Sequence, residues 1–270
     1  MTKSFLVLST AGLYLAVAAL LWRALRTGNN RFAASKPGIL TLAAGALVLH
    51  AALLYGDLFS GTLHLGLTNA AALIAWAVSL LYLLAVLRQP VESLGLFILP
   101  IAATTLLLDW LTPSRQLVLP DAGLAQTLHI VISLLAYSLL SVAVVQSLVL
   151  GLQERALHRH HAGGFLRSLP PLETMEVLLF RMIAVGFLLL TLTLASGLIF
   201  SEQLFGKPLR WNHHTVLSMI AWCVFAVLLV GRWRLGWRGR TAVRMTLIGF
   251  SLLVLGYFGS KFVLEVLLQR

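Results

Sequence analysis

The sequence predicts an all-α membrane protein, a polytopic helical bundle of about eight transmembrane helices with both termini on the outer, periplasmic side. Three observations carry this expectation. The chain is 59% hydrophobic and only 11% charged over 270 residues, with a mean hydropathy of +0.93; a soluble domain of this length cannot bury so much apolar surface. The apolar residues are gathered into runs close to the ~20 residues that a bilayer requires. Finally, the basic residues are divided unevenly between alternate connections.

In chain order, the first run covers roughly 4–23. It starts like a signal peptide after Lys3, but no soluble domain follows, so it is read as an anchor. The second and third runs, about 38–56 and 65–87, are joined by a short Gly-containing turn over Asp57–His64. The fourth, about 93–110, is interrupted by Pro100 and ends at Asp109-Trp110. The fifth, about 122–152, is long enough to continue past the bilayer. Runs at 175–200, 213–231 and 242–267 complete the chain. With no low-complexity tract or internal repeat, residues 1–270 are expected to form a single membrane domain with its core at about 38–268.

Charge sets the orientation. Arg23, Arg26, Arg31 and Lys36 follow the first run, Arg88 follows the third, and Arg155, Arg159 and Arg167 follow the fifth. Arg232, Arg234, Arg238, Arg240 and Arg244 separate the last two. The opposite connections carry only Arg115, Lys207 and Arg210. The richer set is cytoplasmic by the positive-inside rule, which places the termini outside. The net charge of +11 is thus spent on topology and on anionic headgroups, and no nucleic-acid partner is expected. The lone Cys223 lies within an apolar run, which excludes a disulfide framework, a thiolate cluster and a covalent haem-attachment motif in this chain.

Orientation makes the eight histidines informative. His158, His160 and His161 fall in a basic cytoplasmic connection and read as solvated surface. His50, His64, His129, His213 and His214 all fall toward the outer side. Ionisable groups within a membrane are costly and face a bundle interior or a cavity. His129, Ser133, Tyr137 and Ser141 recur every four residues, so the fifth helix carries one polar stripe that should face other helices. Such a stripe serves either as interhelical hydrogen-bonded glue or as an axial ligand with polar support, and the residues alone leave both open. His50 stands alone in an apolar run shortly before Asp57, a candidate partner.

The stretch from Phe205 to Trp222 is an aromatic, basic loop running into an apolar helix. Asn212 is a candidate N-cap that would put His213 and His214 in the first turn, with His214, Ser218 and Trp222 along one face. A helix N-terminus favours neutral imidazole, the form that binds metal. Interfacial anchoring is the alternative for the same residues.

Several segments carry a family resemblance. Phe205-Gly206, Trp211-Asn212 and Leu217 to Trp222 resemble a degenerate form of the tryptophan-rich WGxxWxWD segment of cytochrome c assembly proteins, the CcsA/ResC/CcmC group. Gly236-Trp-Arg-Gly239, Tyr257-Phe-Gly259, Leu128-His-Ile and Ser133-Leu-Leu-Ala-Tyr137 are similar to that group as well. The count of spans is most like its YpjD branch of inner-membrane proteins. The likeness is dense from about 125 to 260 and weak over the first hundred residues.

That resemblance implies non-enzymatic haem handling at the outer leaflet of a bacterial inner membrane, with non-covalent, b-type haem as cofactor. His129 matches the family histidine ahead of the tryptophan-rich segment and His50 a transmembrane one; these are the implied metal ligands. His213, His214, Phe205, Trp211 and Trp222 would line the haem, and Lys207 or Arg210 would pair with its propionates. The chain departs from the pattern where Phe205 and Leu209 replace Trp, Asn212 replaces Asp, and Val230 stands at a family histidine. The implied partners are the bilayer, haem, and another membrane or cytochrome-assembly protein. Two other classes fit the residues: a small-solute transporter, hinted at by Pro100 and Asp109, and a structural subunit in which the histidines are packing glue.

Overall fold

The computed structural model describes residues 2–27, 29–58, 63–64, 66–112, 118–119, 123–158, 169–199 and 213–263. Its helices are α1 (Thr2–Thr27), α2 (Asn29–Leu58), α3 (Leu67–Val86), α4 (Gly95–Leu111), α5 (Leu124–His158), α6 (Leu172–Ile199), α7 (His213–Leu235) and α8 (Gly239–Val254). The last continues through a π-helical turn, Leu255–Gly259, into Ser260–Phe262. A 3-10 turn, Glu92–Leu94, leads into α4, and the only extended pieces among the described residues are Leu63–His64 and Val118–Leu119.

Eight of these helical stretches are long and apolar enough to cross a membrane, as the hydropathy pattern predicts. With no water in the hydrocarbon layer to satisfy backbone groups, an apolar run of this length must close its hydrogen bonds internally, and the helix does so. α5 has 35 residues, which at ~1.5 Å per residue is longer than a bilayer core of about 30 Å. The expected interruption at Pro100 does not occur. Pro100 lies in the second turn of α4, where the loss of one backbone bond leaves the helix continuous from Gly95 to Leu111.

The chain divides into two compact units, Met1–Val118 with Leu152–Leu172 and Leu119–Gly151 with Glu173–Arg270. In the first, α1 packs on α2 and α4, and α3 packs on α2 and α4. Tyr14 of α1 and Tyr82 of α3 are both fully buried. Tyr82 sits directly on Gly95, where a Cβ would overlap its hydroxyl and lie 2.7 Å from Leu21 Cδ1. Close approach through small residues is how helices gain packing energy in lipid, which offers no hydrophobic drive between them. Polar clamps close both ends of this bundle. Lys36 Nζ meets Glu92 Oε1 at 2.7 Å, while Thr68 Oγ1 donates to Asp109 Oδ1 at 2.8 Å.

In the second unit the same device recurs. Gly186 of α6 faces Leu140 of α5, with a Cβ position only 2.7 Å from Leu140 Cδ2. Gly249 of α8 lies under the buried ring of Phe225 on α7. The turn between α7 and α8 uses left-handed glycines, Gly236 (φ 65°) and Gly239 (φ 54°).

Candidate functional site

In the first unit, α2 brings His50 against Tyr14 of α1. His50 and Tyr14 are both 0% exposed, and Ser79 is buried. The Tyr14 hydroxyl lies 3.1 Å from His50 Nδ1, with the rings edge to face. Ser79 Oγ of α3 donates to the Ala75 carbonyl at 2.8 Å. His50 Nε2 is buried and has no hydrogen-bond partner among the described residues. The sequence suggested Asp57 as a partner of His50, but its side chain lies outside the described residues; the described residue that meets His50 is Tyr14, on another helix. Nothing in the spacing pairs the two, but a tyrosine in the middle of an apolar span needs a partner for its hydroxyl.

In the second unit one end gathers His129 from the start of α5, Ser196 from the last turn of α6, His214 from the first turn of α7, and Tyr257 with Lys261 from the end of α8. His129 Nδ1 is 2.8 Å from Ser196 Oγ, and Ser196 Oγ donates to the Thr193 carbonyl at 3.0 Å. His129 and His214 are within electrostatic reach of one another. The His214 ring stands edge-on to Tyr257, centroids 6.1 Å apart, and Lys261 Nζ lies 5.2 Å from the centre of the same Tyr257 ring. The π-helical turn that carries Tyr257 is a local widening often found at functional sites. Tyr137 of α5 braces it, donating its hydroxyl to the Leu253 carbonyl at 3.2 Å. Tyr257 and Lys261 emerge as site residues only here; the sequence marked the first by resemblance and did not mark the second.

The polar stripe of α5 is less outward-looking than its period suggests. Ser133 Oγ donates to the His129 carbonyl at 2.6 Å and Ser141 Oγ to the Tyr137 carbonyl at 2.7 Å, both within the same helix. Among the described residues, His129 and Tyr137 are the stripe members that bond across to neighbouring helices. Trp222 is committed to packing: its Nε1 donates to Thr191 Oγ1 at 2.8 Å, and its ring stacks on Phe187 at 5.3 Å. His213 begins α7 and is exposed. His158 is exposed at the opposite end of α5, with Nδ1 2.9 Å from the Glu154 carbonyl. His160, His161, Phe205, Lys207, Arg210, Trp211 and Asn212 lie outside the described residues, as do the side chains of Asp57 and His64.

Among the described residues no three or more His, Cys, Asp or Glu side chains converge as a metal-holding group. Each unit instead holds an imidazole beside a hydroxyl, His50 at Tyr14 and His129 at Ser196. Of the two features that hinted at solute transport, Pro100 lies within the continuous α4 and Asp109 accepts from Thr68.

The comparisons with known proteins agree with this architecture. The family model for cytochrome C assembly protein matches residues 38–268. Over 247 residues the chain is 31% identical to the inner membrane protein YpjD of Escherichia coli, covering 90% of each chain. It is 34% identical over 215 residues to a 28.8 kDa protein of Azospirillum brasilense, covering 77% of this chain and 79% of that one. A shorter match, 31% identical over 104 residues, joins 38% of this chain to 31% of the cytochrome c biogenesis protein CcsA of Gloeobacter violaceus. With eight membrane-crossing helices and an inner-membrane relative along nearly its whole length, the chain is a multi-pass inner-membrane protein. It belongs to the cytochrome c assembly protein family.

Proposed function

We propose that this protein binds haem non-covalently on the outer side of the inner membrane and hands it on during cytochrome assembly, a binding role rather than an enzymatic one. The observation that carries this reading is His50. Its Nδ1 is held by Tyr14, and its buried Nε2 has no partner among the described residues. As structural glue the arrangement is a poor bargain. A hydrogen bond between membrane helices contributes roughly 0.6–2 kcal/mol, while an unsatisfied buried polar atom costs about 1–3 kcal/mol. A ring held through one nitrogen with the other unengaged is how a protein presents an axial imidazole.

Family membership supports the same reading, since the matched relative from Gloeobacter violaceus is a cytochrome c biogenesis protein. In the second unit, His129 and His214 with the Tyr257 ring and the Lys261 ammonium form a matching set: imidazole for iron, aromatic surface for an apolar macrocycle, and a cation for a carboxylate. When bound, haem would supply the iron and its redox chemistry. The chain's residues would hold the ring in place, keep water from the buried face at His50, and set its exposure to a recipient protein.

The test is a visible spectrum of the detergent-purified protein, as isolated and after titration with hemin. A Soret band that saturates near one haem per binding site, and weakens in His50→Ala, is expected. A wild type with no Soret band and no saturable hemin binding would remove the reading.

A further inference from the structure

The turn that joins α7 to α8 is tied down by its own residues. Only residues 236–238 separate two helices that are each long and apolar enough to cross a membrane. The Trp237 ring folds back on Gly231, where any Cβ would overlap the indole, and its backbone N–H bonds to the Gly231 carbonyl at 3.2 Å. Arg232 Nη1 donates to the Trp237 carbonyl and lies 3.8 Å from Glu176 Oε2, while Glu176 Oε1 accepts from the Gly239 N–H. Arg232 and Glu176 are thereby engaged within the turn.

Arg234, Arg238 and Arg244 are placed differently. All three are exposed, and none has a carboxylate partner among the described residues. Between Glu202 and Glu265 the sequence holds no acid, so α7 and α8 supply none. Beside these cations stand two large apolar side chains, Trp233 (78% exposed) and Leu235 (70% exposed). The Arg234 guanidinium lies over the Trp233 ring, 4.7 Å from its centre. Uncompensated cations attract an anion, and exposed apolar groups favour hydrocarbon. A soluble acidic protein or a nucleic acid would answer the first need and leave the second. A phospholipid answers both, because its phosphate lies directly above its acyl chains, at the level where tryptophan collects.

We propose that the outward face of the α7–α8 turn binds an anionic phospholipid, with Arg234, Arg238 and Arg244 holding the headgroup and Trp233 and Leu235 lying against the start of the acyl chains. Arginine suits this task, since its guanidinium stays charged and grips phosphate oxygens with two parallel N–H groups. The positive-inside rule asks only for a number of basic residues in the connection; the tied turn and the tryptophan under Arg234 go beyond that number. The surface is at the opposite end of α7 from His214, so it is separate from the candidate haem site and stands whether or not haem binds.

The experiment uses the full-length protein in phosphatidylcholine nanodiscs into which brominated lipid is titrated, since bromine on an acyl chain quenches tryptophan fluorescence on contact. Brominated phosphatidylglycerol and brominated phosphatidylcholine are compared at equal mole fractions. The wild type should prefer the anionic lipid by at least about fivefold, the preference that one arginine near a charged surface confers, and the excess should shrink at high salt. Trp233→Phe should remove most of the excess quenching. The triple variant Arg234→Gln, Arg238→Gln, Arg244→Gln should abolish the preference. Arg88→Gln, Arg155→Gln, Arg159→Gln, which removes the same charge elsewhere, should keep it. Circular dichroism verifies that each variant is folded; should the first triple variant not fold, Trp233→Phe and the wild-type comparison still decide. Equal quenching of the wild type by the two lipids overturns the inference. Equal loss in both triple variants does so too, by making the preference a matter of net charge. Capture of a poly-glutamate peptide in phosphatidylcholine nanodiscs, with no lipid preference, would overturn it in favour of a soluble acidic partner.

Discussion

The Glu176 carboxylate of α6 accepts the backbone N–H of Gly239 at 2.8 Å. It thereby serves as a cap for α8, whose own N-cap residue, Arg238, makes no side-chain cap bond. Its second oxygen lies 3.8 Å from Arg232 Nη1, and that arginine also donates to the Trp237 carbonyl at 3.2 Å. A single acid thus ties α6, the end of α7 and the start of α8 together beside a densely basic turn. Glu176→Ala should lower stability in detergent by about 1–3 kcal/mol, the range for loss of a partly buried charged acceptor. Glu176→Gln, which keeps the acceptor for Gly239, should lose less. Thermal unfolding followed by circular dichroism measures both, and equal losses would mean that the cap is not the interaction that matters.

Orientation is testable without any cofactor. The end of α7, the turn after it and the start of α8 hold Arg232, Arg234, Arg238, Arg240 and Arg244, against Lys207 and Arg210 in the preceding connection. In intact cells, a membrane-impermeant thiol reagent should label a cysteine introduced at Ser201 and fail to label one at Thr241, once Cys223 is replaced by serine. The reverse pattern would turn the protein over and move the ends that carry His50, His129 and His214 to the cytoplasmic side.

Much of this fold is legible in the sequence because hydropathy decides it. Eight apolar runs become eight membrane-crossing helices, and even the excess length of α5 is visible. What is hidden depends on packing. Tyr14 and His50 are 36 positions apart, and no local pattern says that α1 and α2 bring them together. The period-four stripe on α5 reads as a face turned to other helices, either as glue or as a ligand with polar support. Yet a serine in a helix can satisfy itself on the carbonyl four residues back, as Ser133 and Ser141 do. A proline marks a break only where the lost bond matters, and in the second turn of α4 it does not. Trp222 falls on the face of His214 by spacing, but its indole N–H needs an acceptor and finds Thr191 on α6.

The histidines at the basic end should be irrelevant to haem. His158 is exposed and bonded only to its own helix carbonyl, and His160 and His161 follow it in the same basic stretch. The triple alanine variant should keep wild-type haem content, measured as the Soret absorbance per mole of purified protein. Loss of haem in that variant would overturn the assignment of the site to the outer histidines.

The two ligand candidates can be ranked against each other. By position in the sequence His129 stands first, because an imidazole on a polar stripe inside a membrane must have a partner. It has one: Ser196 meets its Nδ1. His50 is fully buried, and its Nε2 meets nothing among the described residues. An imidazole that serves as glue should tolerate glutamine, whose amide can replace its hydrogen bonds. An imidazole that serves as an axial ligand should not. His50→Gln is therefore expected to cost more haem than His129→Gln, by about tenfold in retention, and to shift the Soret maximum. Added imidazole should partly restore the spectrum of the alanine variants by filling the axial position. A folded His50→Gln protein with a wild-type haem spectrum would remove His50 from the site. The same result for His129→Gln would leave that residue as the bridge between α5 and α6 that its bond to Ser196 already makes it.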